Sequence, residues 1–308
     1  MSWELFRRGK RKRIDVMIFE RRLEDNLYEL REDLLSGTYT HQQYQPFNIN
    51  DPKRRIIHKA NVRDRLVHQA VVSMIEPLFE CRFIHDSFSC RRNKGTHAAV
   101  QRLRIFLRQA SLNNTRTVYA VKCDVRKFFA SVDHKILCDL LERRVKDELV
   151  GQLLRTIIAS HEASPGKGIP LGNLTSQLFA NIYLHELDRH MKHSLHIRHY
   201  IRYCDDFAMI APSMKDAFDL AYKADAFLQK TLLLGLHPNK THVRTWKQGV
   251  DFLGYVLLPH ATVIRTVTAR RMLRRAEEEN LPSYLGICAH ADGFEIANVL
   301  RNKVAILI

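Results

Sequence analysis

A chain of 308 residues with a 45% hydrophobic fraction can bury one large core or two to three smaller ones, which excludes wholesale disorder. Lys and Arg number 49 against 33 Asp and Glu, a formal net charge of +16. That surplus suits a polyanionic partner, because phosphates neutralised by cations release condensed counterions, although a merely basic soluble protein has the same balance. Six cysteines without a C-x-x-C pair argue against a zinc knuckle and read as reduced core residues. No apolar run reaches membrane-spanning length and no signal peptide is expected, so a cytoplasmic location is expected.

The chain opens on Arg7-Arg8-Gly9-Lys10-Arg11-Lys12-Arg13, readable as an RNA-gripping arm, a targeting signal or a solvated flexible end. Phe19, Leu23, Leu27, Leu30 and Leu34 predict one helix that stops at Ser36-Gly37. A polar stretch with Pro46 and Pro52 leads into a short strand, Lys53 to His58, carrying three cations. Leu66, Val67, Ala70, Val71, Met74, Ile75 and Leu78 mark an amphipathic helix, and Ala99, Val100, Leu103, Phe106, Leu107 and Ala110 mark the next.

The period then changes. Val118 to Val125 is rich in strand formers and carries Asp124 near its end. Helical spacing returns from about His134 to Ser160 and from Gly172 to Met191. Tyr200-Ile201-Arg202-Tyr203 and Phe207-Ala208-Met209-Ile210 flank Cys204-Asp205-Asp206, which predicts a β-hairpin with carboxylates at its tip. Ser213, with Asp216 three residues on, opens a helix that Gly235 is predicted to close. Val250 to Leu257 is predicted as a final strand, and the basic remainder from Thr268 as helix. This order suggests an α+β fold with an antiparallel split-βαβ sheet and attached helical lobes.

Asp124, Asp205 and Asp206 stand out because all three fall at strand ends. Strands paired in one sheet would gather the three carboxylates, whose repulsion divalent cations relieve. An all-oxygen donor set fits Mg²⁺, and two ions roughly 3.5–4 Å apart would clamp an in-line phosphoryl displacement. Taken alone, Asp-Asp in a hairpin is ordinary turn chemistry.

The surrounding blocks resemble bacterial reverse transcriptases of the retron and group II intron type. Tyr203-Cys204-Asp205-Asp206 is similar to their Tyr-x-Asp-Asp box, and Asp124-Val125-Arg126-Lys127-Phe128-Phe129 opens a segment similar to their strand-ending Asp block. Ser87-Phe88-Ser89-Cys90-Arg91 with Lys94-Gly95-Thr96 resembles the fingers block. Leu234-Gly235-Leu236-His237 with Lys240-Thr241, and Phe252-Leu253-Gly254-Tyr255, resemble the last two palm blocks. The resemblance implies a right-hand polymerase architecture: fingers 1–117, palm 118–257 with finger-lobe helices around 140–170, and a short helical thumb 258–308. It implies an RNA-directed DNA polymerase with Asp124, Asp205 and Asp206 as catalytic residues. Those three and the backbone carbonyl of Val125 would hold two Mg²⁺ ions, with Mn²⁺ as a substitute. Phe129 matches a steric gate against a ribonucleotide 2′-hydroxyl. Lys53, Arg55 and Arg63 match cations around the dNTP triphosphate, and Lys240 a lysine near the nucleotide. The implied partners are template RNA, the RNA/DNA hybrid and dNTPs.

One block narrows the resemblance. Relatives of the intron type read Gln-Gly-x-x-x-Ser-Pro where this chain reads Leu171-Gly172-Asn173-Leu174-Thr175-Ser176-Gln177. That pattern resembles reverse transcriptases of diversity-generating retroelements, which copy RNA with errors at adenines beside a small basic accessory protein. Leu171, Gly172 and Gln177 are then dNTP contacts. The alternatives are a reverse transcriptase of antiphage defence or of a group II-like lineage, and a catalytically silent RNA-binding scaffold. No maturase extension or zinc-type endonuclease is visible, and Val243-Arg244-Thr245 replaces the Val-Thr-Gly of retron enzymes. His58, His97 and His134 read as bonding backbone or solvent.

Overall fold

The computed structural model describes residues 2–50 and 54–307. In chain order the first half runs α1 (Ser2–Arg7), α2 (Ile14–Glu20), α3 (Leu23–Leu35), β1 (Gln45–Ile49), β2 (Arg55–Lys59), α4 (Val62–Glu80), α5 (Thr96–Ala110), β3 (Tyr119–Asp124), α6 (Phe128–Ser131), α7 (His134–Glu142) and α8 (Glu148–Ala159). Then come α9 (Leu174–Arg189), a π-turn (His190–Ser194), β4 (Tyr200–Tyr203), β5 (Asp206–Ala211), α10 (Met214–Leu232) and β6 (His242–Thr245). After a 3-10 turn (Trp246–Gln248) follow β7 (Val250–Phe252), β8 (Tyr255–Leu257), β9 (Thr262–Ile264), α11 (Thr266–Arg275), α12 (Leu281–Ala289) and α13 (Phe294–Leu307). None of the described helices is long and apolar enough to cross a membrane.

Two compact units alternate along the chain. The first takes Met1–Ile84, Val125–His190 and Ala226–Gly235; the second takes His85–Asp124, Met191–Asp225 and Leu236–Ile308.

In the first unit α4 buries Leu66, Val67, Val71, Val72, Ile75 and Phe79 and packs against α9. Asn61 caps α4 by accepting from the Asp64 amide at 2.8 Å. The predicted first helix is two: Arg22 leaves helical geometry (φ −123°, ψ 45°) between α2 and α3, while the stop at Ser36 and Gly37 (φ +72°) holds. The predicted 134–160 helix is also two, because Asp133 and Asp147 each cap a separate start. β1, within what the sequence shows as a polar stretch, pairs antiparallel with β2 from Gln45↔Lys59 to Ile49↔Arg55. Within the basic opening run Arg7 lies 2.9 Å from Glu20 and Lys10 donates to the Phe6 carbonyl at 2.6 Å, while Arg8, Arg11, Lys12 and Arg13 are exposed.

The second unit holds a four-stranded sheet, order β4-β5-β3-β6, antiparallel at every pairing. This is the predicted split-βαβ sheet. β6 was not foreseen as a strand; it pairs Tyr119↔Thr245 to Lys122↔His242. Side chains alternate across a strand, so Ala120, Lys122 and Asp124 share one face with Ala208 and Asp206 of β5. That face is apolar at one end, where Ala120, Ile201 and Ala208 join Leu103, Phe106 and Leu107 of α5 in the core, and charged at the other.

Two further expectations need correction. The predicted strand 250–257 is a hairpin, since Leu253 (φ +51°) and Gly254 (φ +91°) make a primed turn between β7 and β8, and β9 extends it to a separate sheet. α10 ends before Gly235: Leu233 takes the left-handed conformation (φ +51°) instead. Cys123 and Cys288 are buried as expected of core cysteines, but Cys81 and Cys90 are exposed; all six are free.

Candidate active site

The register of the second unit's sheet assembles the acids. Asp124, last residue of β3, lies directly opposite Asp206, first residue of β5, and Asp206 lies opposite Tyr203 of β4. Cys204 (φ +55°) and Asp205 make the hairpin turn. Three carboxylates therefore gather at one end of the sheet, each half-buried. Burial pushes the Asp205 carboxyl above the usual carboxylate range, and the Asp124 charge adds to it. Burial also raises Asp206; Lys122 pulls it back, while Asp205 and Asp124 push it further up. The Lys122 ammonium stands 3.7 Å from Asp206 Oδ1.

Lys240 donates to both oxygens of Asp124, at 2.8 and 2.9 Å. The turn that delivers it is tied to the same strand end, because the His237 amide donates to the Asp124 carbonyl at 2.8 Å and the Lys240 amide to the His237 carbonyl at 3.1 Å. Among the described residues no three His, Cys, Asp or Glu side chains close around one point as a finished metal cage. The site still fits divalent cations. Its donors are all carboxylate oxygen, and two of the three acids are raised by burial and mutual repulsion that bound positive charge would relieve.

In the first unit a second cluster forms around the 166–172 loop. Phe129, on α6, is half-buried with its ring edge-on to Phe128 at 5.3 Å, and its carbonyl accepts from the Ile169 amide at 2.8 Å. The Gly168 amide donates to Val132 at 2.8 Å, and the Gly168 carbonyl lies 2.7 Å from His134 Nε2. The loop then meets β2. The His58 amide donates to the Leu171 carbonyl at 3.0 Å, and Asn173 Nδ2 donates to the His58 carbonyl at 2.9 Å. Gly172 has φ +101°, and a Cβ there would lie 2.5 Å from Ile57 Cγ2. Arg55 is exposed at the start of β2, Gln177 exposed on the first turns of α9 and Leu171 half-buried. Val125, buried, follows Asp124 directly in the chain. Lys53 lies outside the described residues.

Arg63 is committed within the first unit: its guanidinium pairs with Asp33, donates to the Thr40 carbonyl at 3.3 Å and lies 4.9 Å over the Tyr39 ring. Sequence reasoning missed Lys122, whose spacing two residues before Asp124 placed it on the acidic face. It also missed Arg202, which nothing in a strand pattern distinguishes from a solvent-facing cation.

Residues 49–257 match the reverse transcriptase (RNA-dependent DNA polymerase) family profile. The chain belongs to that family. Among curated relatives, protein YkfC of Escherichia coli is 27% identical over 294 residues, covering 80% of this chain and 74% of that protein. The group II intron-encoded protein LtrA of Lactococcus lactis is 27% identical over 175 residues, 54% of this chain, and the match spans only 28% of LtrA. The fold is similar to apo telomerase from Candida tropicalis, with TM-score 0.56 at 11% identity over 81% of this chain and 52% of that one. That likeness places the chain among mixed helix and antiparallel-sheet polymerase folds.

Proposed function

We propose that this chain is an RNA-directed DNA polymerase that adds dNTPs to a primer 3′-hydroxyl on an RNA template. The observation that carries the reading is the pairing of Asp124 with Asp206 across β3 and β5, with Asp205 in the adjoining turn. Asp124, Asp205, Asp206 and the Val125 carbonyl would hold two Mg²⁺ ions, which when bound activate the primer hydroxyl and stabilise the pyrophosphate leaving group. Lys240, bonded to both Asp124 oxygens, supplies positive charge beside the acids, where it would face the phosphates of a bound nucleotide. Arg55 holds the triphosphate, with Lys53 in the same proposed set, while Gly172 and Gln177 bound the nucleotide; Arg63, held by Asp33 and Tyr39, is left out of that set. The half-buried Phe129 ring excludes a 2′-hydroxyl. Fingers (1–117), palm (118–257) and thumb (258–308) belong to the same reading.

The test is labelled dNTP incorporation on an RNA template in Mg²⁺, with Asp124→Asn and Phe129→Ala alongside. Incorporation lost in Asp124→Asn, and ribonucleotide use gained in Phe129→Ala, support the assignment. Incorporation retained by Asp124→Asn contradicts it.

Leu171 and Gln177 favour a second, narrower reading, the error-prone type of a diversity-generating retroelement working with a small basic accessory protein. An apolar Leu171 offers no hydrogen bond to an incoming sugar or base, so a misaligned pair loses little relative to a correct one. Misinsertion opposite adenine should fall in Leu171→Gln; equal error rates contradict the narrower reading and leave an antiphage-defence or group II-like lineage.

A further inference from the structure

Arg202 is fully buried, with 0% exposure, inside a strand where any apolar residue would pack at lower desolvation cost. Alternation along β4 puts it on the sheet face opposite Tyr203, Asp206 and Asp124. Its guanidinium donates from Nη1 to the Cys204 carbonyl at 3.1 Å and from Nη2 to Ser87 Oγ at 3.0 Å. The backbones are tied as well: the Arg202 amide donates to the Asp86 carbonyl at 2.9 Å and the Phe88 amide to the Arg202 carbonyl at 3.0 Å. Asp86 is itself anchored, 2.7 Å from Arg102 and 2.9 Å from Lys192.

The Cys204 carbonyl belongs to the peptide plane that leads into Asp205. Cys204 is non-glycine in the left-handed region (φ +55°), a conformation that persists only where the surroundings fix it. A bond to that carbonyl oxygen fixes the plane and with it the direction in which the Asp205 and Asp206 side chains leave the turn. A planar fork satisfies the turn and Ser87 at once, which the single ammonium of a lysine does less well.

We propose that Arg202 is a positioning residue for the Asp205–Asp206 pair, its guanidinium locking the Cys204–Asp205 peptide so that both carboxylates aim at bound cation. The inference rests on the polymerase reading of the acids, so the test carries a readout that does not require turnover. Arg202→Met, Arg202→Lys and Ser87→Ala are compared with wild type and Asp205→Ala/Asp206→Ala by Mn²⁺ titration followed by electron paramagnetic resonance. Primer extension and thermal unfolding accompany the titration.

Arg202→Met is expected to weaken Mn²⁺ binding and lower kcat by about 10- to 100-fold, as for other residues that orient metal ligands, with KM for dNTP nearly unchanged. Arg202→Lys should recover part of the loss, and Ser87→Ala should show a smaller loss in the same direction. Should Arg202→Met fail to fold, Arg202→Lys and Ser87→Ala carry the comparison. Wild-type Mn²⁺ affinity and kcat in folded variants overturn the proposal, as does a loss no larger than the unfolded fraction. Should wild type extend no primer, the polymerase reading fails, while the Mn²⁺ titration still decides the role of Arg202.

Discussion

Gly172→Ala is the sharpest perturbation of the loop between α8 and α9, which hydrogen-bonds to both α6 and β2. The substitution places a side chain at φ +101°, and an L residue in left-handed backbone costs about 1–2 kcal/mol. The new Cβ also stands 2.5 Å from Ile57 Cγ2, too close for non-bonded carbons, so the Ile57 side chain, β2 or the loop must shift; overpacking of this kind costs about 1–3 kcal/mol. Together the loss is about 2–5 kcal/mol. The protein has two tryptophans, Trp3 in the first unit and Trp246 in the second, so a Trp246→Phe background lets Trp3 fluorescence report urea unfolding of the unit that contains Gly172. In a double-mutant cycle Ile57→Ala removes the clashing methyl, so a coupling of about 1–3 kcal/mol should appear while the backbone cost remains. Gly172→Ala within about 0.5 kcal/mol of its background, the usual range for a neutral surface change, would refute the reasoning.

Arg55→Ala should raise KM for dNTP, whereas Arg63→Ala, which breaks the Asp33 pair and the Tyr39 stack, should cost about 1–2 kcal/mol of stability and move KM little. Steady-state kinetics beside urea titration separate the two, and a KM effect confined to Arg63→Ala would reverse the roles. Lys240→Met removes a cation bonded to both Asp124 oxygens, so Mn²⁺ affinity should rise about 3- to 10-fold while turnover falls; weaker binding would mean that Lys240 organises Asp124 for the metal. His68 is buried, and desolvation, then the His41 charge, depress its pKa to about 3. The unfolded chain binds that proton near 6.5 and the folded one only near 3, so stability contributed by neutral His68 is complete above 6.5 and is lost as pH falls toward 3, at up to about 1.4 kcal/mol per unit. Urea midpoints at pH 7 and pH 5 should converge in His68→Gln relative to wild type, and an unchanged acid slope would refute the assignment.

Much of the sheet and its acids was legible because they obey local rules. Strand-forming composition from Val118 to Val125 and two apolar segments flanking Cys204-Asp205-Asp206 announced β3, β4 and β5, and the strand ends announced the acids. β1 was missed because its five residues are all exposed and its only alternation, Phe47 and Ile49 about Asn48, is short and follows Pro46. The 250–257 run hid its hairpin because Leu253 takes a conformation that sequence assigns to Gly or Asn. The helix read from Phe19 to Leu34 and the one from about 134 to 160 looked continuous because apolar spacing persists across breaks set by caps and backbone. Arg202 was illegible for a different reason: its role comes from Ser87 and the Cys204 carbonyl, partners that only tertiary structure brings to it.

The central claim is that Asp124, Asp205 and Asp206 make an RNA-templated polymerase site. Its most direct test is primer extension on poly(rA)/oligo(dT) with dTTP and Mg²⁺, comparing wild type with Asp205→Ala/Asp206→Ala. The account predicts extension by wild type and none by the double variant, with both proteins equally folded. Extension by the double variant, or none by wild type on any RNA template, would contradict it.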